Sequence, residues 1–233
     1  MDYKVDIVMC IDITGSMQGC IDTVKGRALQ FWPDLQEALK AKSKNVSDVR
    51  VKVIGFRDFE ADAANALEIS RYFNLSDQDG SDPEEYKAFV NGLSAEGGGP
   101  TPENSLEALA LAIQSDWVQT GDRRRHIIVM FTDAPAHKLE EANTSNPNYP
   151  DGMPASLAEL SDLWNNTSAD GNQVSKTKLK QPAKRLIIFA PQEYPWPEIY
   201  EAWEQVVYNP AHPGEGLDDV TYEDIIESIV GSV

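Results

Sequence analysis

Three short apolar runs set the frame of this chain: VDIVMCI at 5 to 11, HIIVMF at 126 to 131 and RLIIFA at 185 to 190. Each is rich in β-branched residues and almost continuously apolar, the pattern of a strand buried on both faces. Strands of that kind belong to parallel sheets, whose crossover helices cover both sides. Helical spacing fills the intervals. Residues 17 to 41 put Ile21, Val24, Leu29, Phe31, Leu35, Ala38 and Leu39 along one stripe, with a kink expected at Pro33. Residues 102 to 118 repeat Leu106, Leu109, Ala110 and Ile113, and residues 221 to 231 carry Ile225, Ile226 and Ile229 behind Thr221. Two further runs, VRVKVIGF at 49 to 56 and LEISRYF at 67 to 73, alternate more and predict a hairpin at a sheet edge. The sum is an α/β three-layer sandwich with a mostly parallel central sheet, formed as a single domain over 1–233.

One interval breaks the rhythm. Residues 134 to 183 separate two core strands and hold a turn-rich stretch, NTSNPNYPDGMP, a helical stretch, ASLAELSDLW, and the polar GNQVSKTKLKQP. Connections this long are functional or mobile more often than not.

Charge narrows the partners. There are 38 Asp and Glu against 20 Lys and Arg, a formal net charge of -18. Nucleic acid and anionic membranes would be repelled, whereas a cation or a basic protein surface would not. Two cysteines, Cys10 and Cys20, do not make a secreted disulfide framework, and MDYKVDIVMC lacks the pattern of a signal peptide. The expectation is a cytoplasmic protein.

Ligands of doubly wound sheets bind outside the carboxyl ends of the strands. Three loops should meet there: Asp12-Ile13-Thr14-Gly15-Ser16, then GGGPTPE at 97 to 103, then FTDAPAH at 131 to 137. They bring together Asp12, Asp133 and the hydroxyls of Thr14, Ser16 and Thr101. All are hard oxygen donors. Such a set, with few carboxylates, suits Mg²⁺ or Mn²⁺ completed by water, while Ca²⁺ usually takes more carboxylate oxygens. GGGPTPE has no Gly-Lys-Ser/Thr and is not a nucleotide-binding phosphate loop.

With these residues in view, the chain resembles the von Willebrand factor A domains that carry a metal-ion-dependent adhesion site. The matching positions are Asp12-Ile13-Thr14-Gly15-Ser16, Thr101 and Asp133, in the family's order across roughly the whole chain. GGGPTPE and TDAPAH are especially similar to the bacterial and intracellular branch. The resemblance implies a Rossmann-like doubly wound fold with strand order 3-2-1-4-5-6 and an antiparallel edge strand. It implies no catalysis. It implies instead that Mg²⁺ (or Mn²⁺ or Ca²⁺), held by Asp12, Thr14, Ser16, Thr101 and Asp133, binds a Glu or Asp of a protein partner within a larger assembly. The connection at 134 to 183 leaves that face and is a candidate for choosing the partner.

Blander readings stand beside these. Asp12 is also a good helix N-cap, and Asp133 before Ala-Pro is also turn chemistry. Glu103 suits a helix N-terminus, with a reach to the cation through water as its other reading. Arg57-Asp58 reads as a structural salt bridge or turn, and Trp196, Tyr200 and Trp203 as packing at helical spacing. The Asp-x-Thr-Gly-Ser loop also resembles haloacid dehalogenase-like phosphotransferases, in which Asp12 would be a nucleophile. That chemistry needs a lysine and a second carboxylate pair. FTDAPAH offers one carboxylate, and Lys184 lies at the amino end of its strand.

Overall fold

A computed structural model describes residues 2–77, 79–99, 101–167 and 177–233. Within the central sheet, β1 (Tyr3–Asp12), β2 (Asp48–Phe56), β5 (Arg123–Phe131), β6 (Lys184–Pro191) and β7 (Val206–Ala211) are all parallel to their neighbours in the order β2-β1-β5-β6-β7. Two short strands, β3 (Leu67–Ile69) and β4 (Phe73–Asn74), pair antiparallel with β2 at the edge. The expected class and order are therefore present, with β1 in the middle.

Both faces of β1 are buried, as its continuous apolar run requires. Odd residues Ile7, Met9 and Ile11 pack under α1 (Gln18–Arg27), α2 (Phe31–Ala41), α4 (Ser81–Gly92) and α8 (Tyr222–Ser232). Even residues Val8 and Cys10 pack under α5 (Ser105–Ile113), α6 (Leu157–Asn165) and α7 (Trp196–Ala202). Trp196 and Trp203 are buried in this second layer while Tyr200 is 51% exposed, so their helical spacing is mostly packing. A short helix, α3 (Phe59–Asp62), follows β2.

Local chemistry explains where the elements depart from expectation. The helix expected over 17 to 41 is two helices that break at 28 to 30, and Pro33 sits in the first turn of α2, where its missing N–H costs nothing. The helix expected to reach 118 stops at Ile113, whose carbonyl accepts from the Trp117 indole at 3.1 Å. The edge run at 67 to 73 is split, because the Ser70 hydroxyl accepts the Val53 N–H at 2.8 Å and donates to Arg71 O at 2.7 Å. The 57 to 66 connector holds α3 and a 3₁₀ turn and is no tight hairpin. Two elements were not legible. In α4 only Tyr86 and Val90 are buried, too sparse a stripe to read, and β7 is an edge strand interrupted by Pro210.

The 134 to 183 connection divides in two. Its first part stays by the carboxyl edge of the sheet, where Asn146 Nδ2 donates to Phe59 O at 3.1 Å and Tyr149 packs on Phe59. Its second part, described up to Thr167 and from Thr177, supports the opposite end. Residues 168–176, with the start of the polar GNQVSKTKLKQP run, lie outside the described residues. Trp164 of α6 stacks on Trp203, and its carbonyl accepts from Lys184 Nζ at 2.9 Å. Leu139, Leu160, Trp164 and Leu179 are all core residues.

His126, buried in β5, is held neutral. Its Nε2 lies 3.0 Å from Val118 O, its Nδ1 accepts from Lys180 N at 3.2 Å, and its ring stacks on Trp117. Burial, and then the charges of Arg124, Lys180 and Arg50, push its pKa down to about 4. A histidine that titrates near 6.5 when unfolded and near 4 when folded binds its proton first in the unfolded chain. Its contribution to stability is complete above the upper value and is lost as pH falls through that window, at up to about 1.4 kcal/mol per pH unit. Urea unfolding between pH 7 and 4 should show this fall. His126→Asn should be less stable at pH 7 and decline less steeply, and equal slopes would rule out a buried neutral His126.

Candidate functional site

The end of β1 delivers Asp12, fully buried, to the carboxyl edge of the sheet. Its Oδ1 accepts from the Thr14 N–H at 3.0 Å and from the Thr14 hydroxyl at 2.7 Å. Its Oδ2 accepts from the Thr132 hydroxyl at 2.8 Å, from the end of the neighbouring strand. Burial raises its pKa to about 6, with a smaller push from Asp133, against the lowering effect of these hydrogen bonds. Asp133 is held in the same manner. Its Oδ1 accepts from the Ser16 hydroxyl at 3.0 Å and its Oδ2 from Gly216 N–H at 2.8 Å.

Both hydroxyl protons are thus committed to carboxylates. Thr14 Oγ1 and Ser16 Oγ lie 3.5 Å apart and have lone pairs left to offer. Adjacent oxygens of an octahedron are ~3.0 Å apart around Mg²⁺ and ~3.4 Å apart around Ca²⁺. The pair therefore needs only a small closure to act as two neighbouring ligands. Asp12 with Thr14 and Ser16 with Asp133 form two hydrogen-bonded pairs whose hydroxyl oxygens adjoin. Thr101 is exposed on the adjoining loop, and among the described residues no hydrogen bond joins it to the other four. Pro100 lies outside the described residues.

Two backbone segments close over the site. The glycine loop folds onto Thr14, and Gly98 N donates to Asp62 Oδ2 at 2.9 Å. Gly98 has φ +77°, and a Cβ there would sit 2.7 Å from Thr14 Cγ2 and 3.2 Å from Glu103 Oε1. On the other side, Gly216 has φ +63°, and a Cβ would lie 2.3 Å from Ser16 O. Only glycine permits both approaches.

Arg57 ties these loops together. It is 3% exposed and donates to the carbonyls of Ile13, Asn65, Ser94 and Glu96 and to Glu68 Oε1. It is a structural stitch, as expected, while Asp58 caps α3 by accepting from Glu60 N at 2.8 Å. His137 Nε2 lies 3.8 Å from Asp58 Oδ1. Glu103 was read foremost as a helix-end charge, yet it is 3% exposed, and its backbone is pinned by Glu103 N to Pro135 O at 3.0 Å and His137 N to Glu103 O at 2.9 Å. Burial first, and then Asp12, Asp58, Asp62 and Asp133, push its pKa up to about 9.

Reading the sequence for a site missed Thr132 and the Gly214–Gly216 turn. Thr132 directly precedes Asp133 at a strand end, so its signal was available. The turn had none, since it is distant in sequence and acts through backbone N–H groups: Gly214 N also donates to Asp133 O at 2.8 Å.

The model of a family described as von Willebrand factor A domain matches residues 76–146, a stretch that includes Thr101, Glu103 and Asp133 but not Asp12. Two crystal structures of the pilus adhesin SpaC from Lactobacillus rhamnosus GG, one in an open conformation, superpose with a TM-score of 0.55 each. Identity is 14% and 13%, over 98% of this chain and 31% and 30% of the adhesin. The fold is that of a von Willebrand factor A domain. This chain spans about a third of the adhesin it matches. No curated protein matches it.

Gly98→Ala should test the closeness of the glycine loop to Thr14. The left-handed φ and the clash together should lower the unfolding free energy by about 2 kcal/mol, read from urea midpoints. A loss under about 0.5 kcal/mol would mean that the loop does not lie on Thr14.

Proposed function

We propose that this chain is a protein-binding module rather than an enzyme. It would hold a divalent cation, Mg²⁺ first and Mn²⁺ or Ca²⁺ as alternatives, and present it to a Glu or Asp of a partner protein. The observation that carries this reading is the pair of hydroxyls whose protons are spent on Asp12 and Asp133. That leaves converging lone pairs at the carboxyl edge of the sheet. Asp12, Thr14, Ser16 and Asp133 fit a small hard cation, and Thr101 is the neighbouring oxygen on the exposed loop. The bound ion supplies a Lewis-acidic position for a carboxylate.

Electrostatics gives the reading its switch. On a protein of formal charge -18, an edge that carries Asp12, Asp58, Asp62 and Asp133 repels an acidic partner. The cation reverses that locally, so binding should be metal-dependent. Residues 134 to 149 border this face through His137, Asn146 and Tyr149, and they are the natural place for partner choice. The free thiols Cys10 and Cys20 favour a reducing compartment.

The lysine that the phosphotransferase alternative needs is not supplied by Lys184. Lys184 sits at the amino end of β6, 2% exposed, with Nζ on Trp164 O and Asn165 Oδ1. Arg57 is committed to backbone carbonyls and Glu68.

The test has a metal arm and a partner arm. Mg²⁺ at about 100 times its Kd should raise the melting temperature by roughly 5–10 °C for the wild type and not for Asp12→Ala. Pull-down from the native lysate should retain a protein in Mg²⁺ that is lost in EDTA and with Asp12→Ala. Retention of the same proteins under all three conditions would place the binding surface elsewhere.

A further inference from the structure

Glu103 is the one carboxylate at this edge with nothing to hold it. Among the described residues its side chain makes no hydrogen bond, and Oε2 is sealed from solvent without a partner. Leaving a buried polar atom unpaired costs about 1–3 kcal/mol. Its polar surroundings cannot relieve it. The side chains whose charge reaches it are Asp12, Asp58, Asp62 and Asp133, and ionised carboxylates only accept. An ionised Glu103 therefore finds no donor among them and would take one from outside the chain.

The position of Glu103 is not loose. Its backbone is tied on both sides to the segment that follows Asp133, and Ala136 pairs with it as an isolated parallel bridge. Its Oε1 lies 3.2 Å from where a Gly98 Cβ would stand, beside Thr14 at 2.7 Å from that same point. A buried carboxylate is thus fixed beside Thr14, one of the residues that would hold the cation.

We propose that Glu103 belongs to the cation site, accepting a hydrogen bond from a water bound to the ion. This rests on the metal-binding reading above. Spacing decides between direct and water-mediated contact. Among the described residues, the one trio of His, Cys, Asp or Glu with ligand atoms all within 4.8 Å of one another is His212, Glu215 and Asp219 on the surface. Asp12, Asp133 and Glu103 do not all meet that spacing, so the three carboxylates do not share one inner shell, and Glu103, which lies outside the Asp12–Thr14 and Ser16–Asp133 hydrogen bonds, takes the outer place. A metal-bound water bridges such a gap, placing the carboxylate oxygen ~4 Å or more from the ion. Such a water is a strong hydrogen-bond donor. The site then carries three carboxylates, one more than its matched motif residues supply.

Isothermal titration of Mg²⁺ and of Mn²⁺ into metal-free wild type, Asp12→Asn and Glu103→Gln tests this. The glutamine is isosteric and cannot ionise, so the metal-free variant should fold and melt close to the wild type. Its affinity for both ions should fall about tenfold, as for other outer-shell ligands. Affinity within twofold of the wild type, with Asp12→Asn abolishing binding, would overturn the role of Glu103 and leave the metal reading intact. Absence of binding to the wild type would overturn both.

Discussion

A buried carboxylate at the end of the central strand organises this molecule. Asp12 has no exposed surface, and its two oxygens are held by Thr14 and Thr132. Burying an ionised carboxylate is costly unless hydrogen bonds or an opposite charge offset it. The chain supplies the hydrogen bonds but places Asp133 nearby, which adds negative charge. The strongest buried cation in the neighbourhood, Arg57, is committed to four backbone carbonyls and one glutamate. An edge built in this manner is electrostatically incomplete, and in the proposed reading a small divalent ion completes it.

The same incompleteness links fold to function. β1 lies in the middle of a parallel sheet, so its carboxyl end is where loops from β2, β5 and the helix-leading glycine segment converge. Arg57 draws the first loop and the 94 to 96 backbone together, and Gly98 and Gly216 allow two further segments to approach Thr14 and Ser16. In the proposed reading, the hydroxyl lone pairs face a cation only while Thr14 and Ser16 donate their protons to Asp12 and Asp133.

Much of this was legible because it is local. Buried parallel strands announce themselves by composition, and Asp12, Thr14 and Ser16 lie within one short loop. Asp133 follows a core strand directly. What escaped depends on distant chain segments or on single hydrogen bonds. No periodicity shows that Ser70 will interrupt an edge ladder, or that α2 begins just before Pro33. Glu103 sits near a helix start, so helix-end charge is the natural sequence reading. Its burial comes from the segment after Asp133, more than thirty positions away. Thr101 is the reverse case: it fits the motif by position yet stands exposed beside the hydrogen-bonded set.

The most direct measurement is anomalous diffraction from a crystal of the protein soaked in Mn²⁺. The expected result is a peak within coordinating distance of Thr14 Oγ1 and Ser16 Oγ, bounded by Asp12 and Asp133. A peak only at the exposed His212, Glu215 and Asp219, or no ordered peak at the carboxyl edge of β1, would contradict a metal centre built on Asp12.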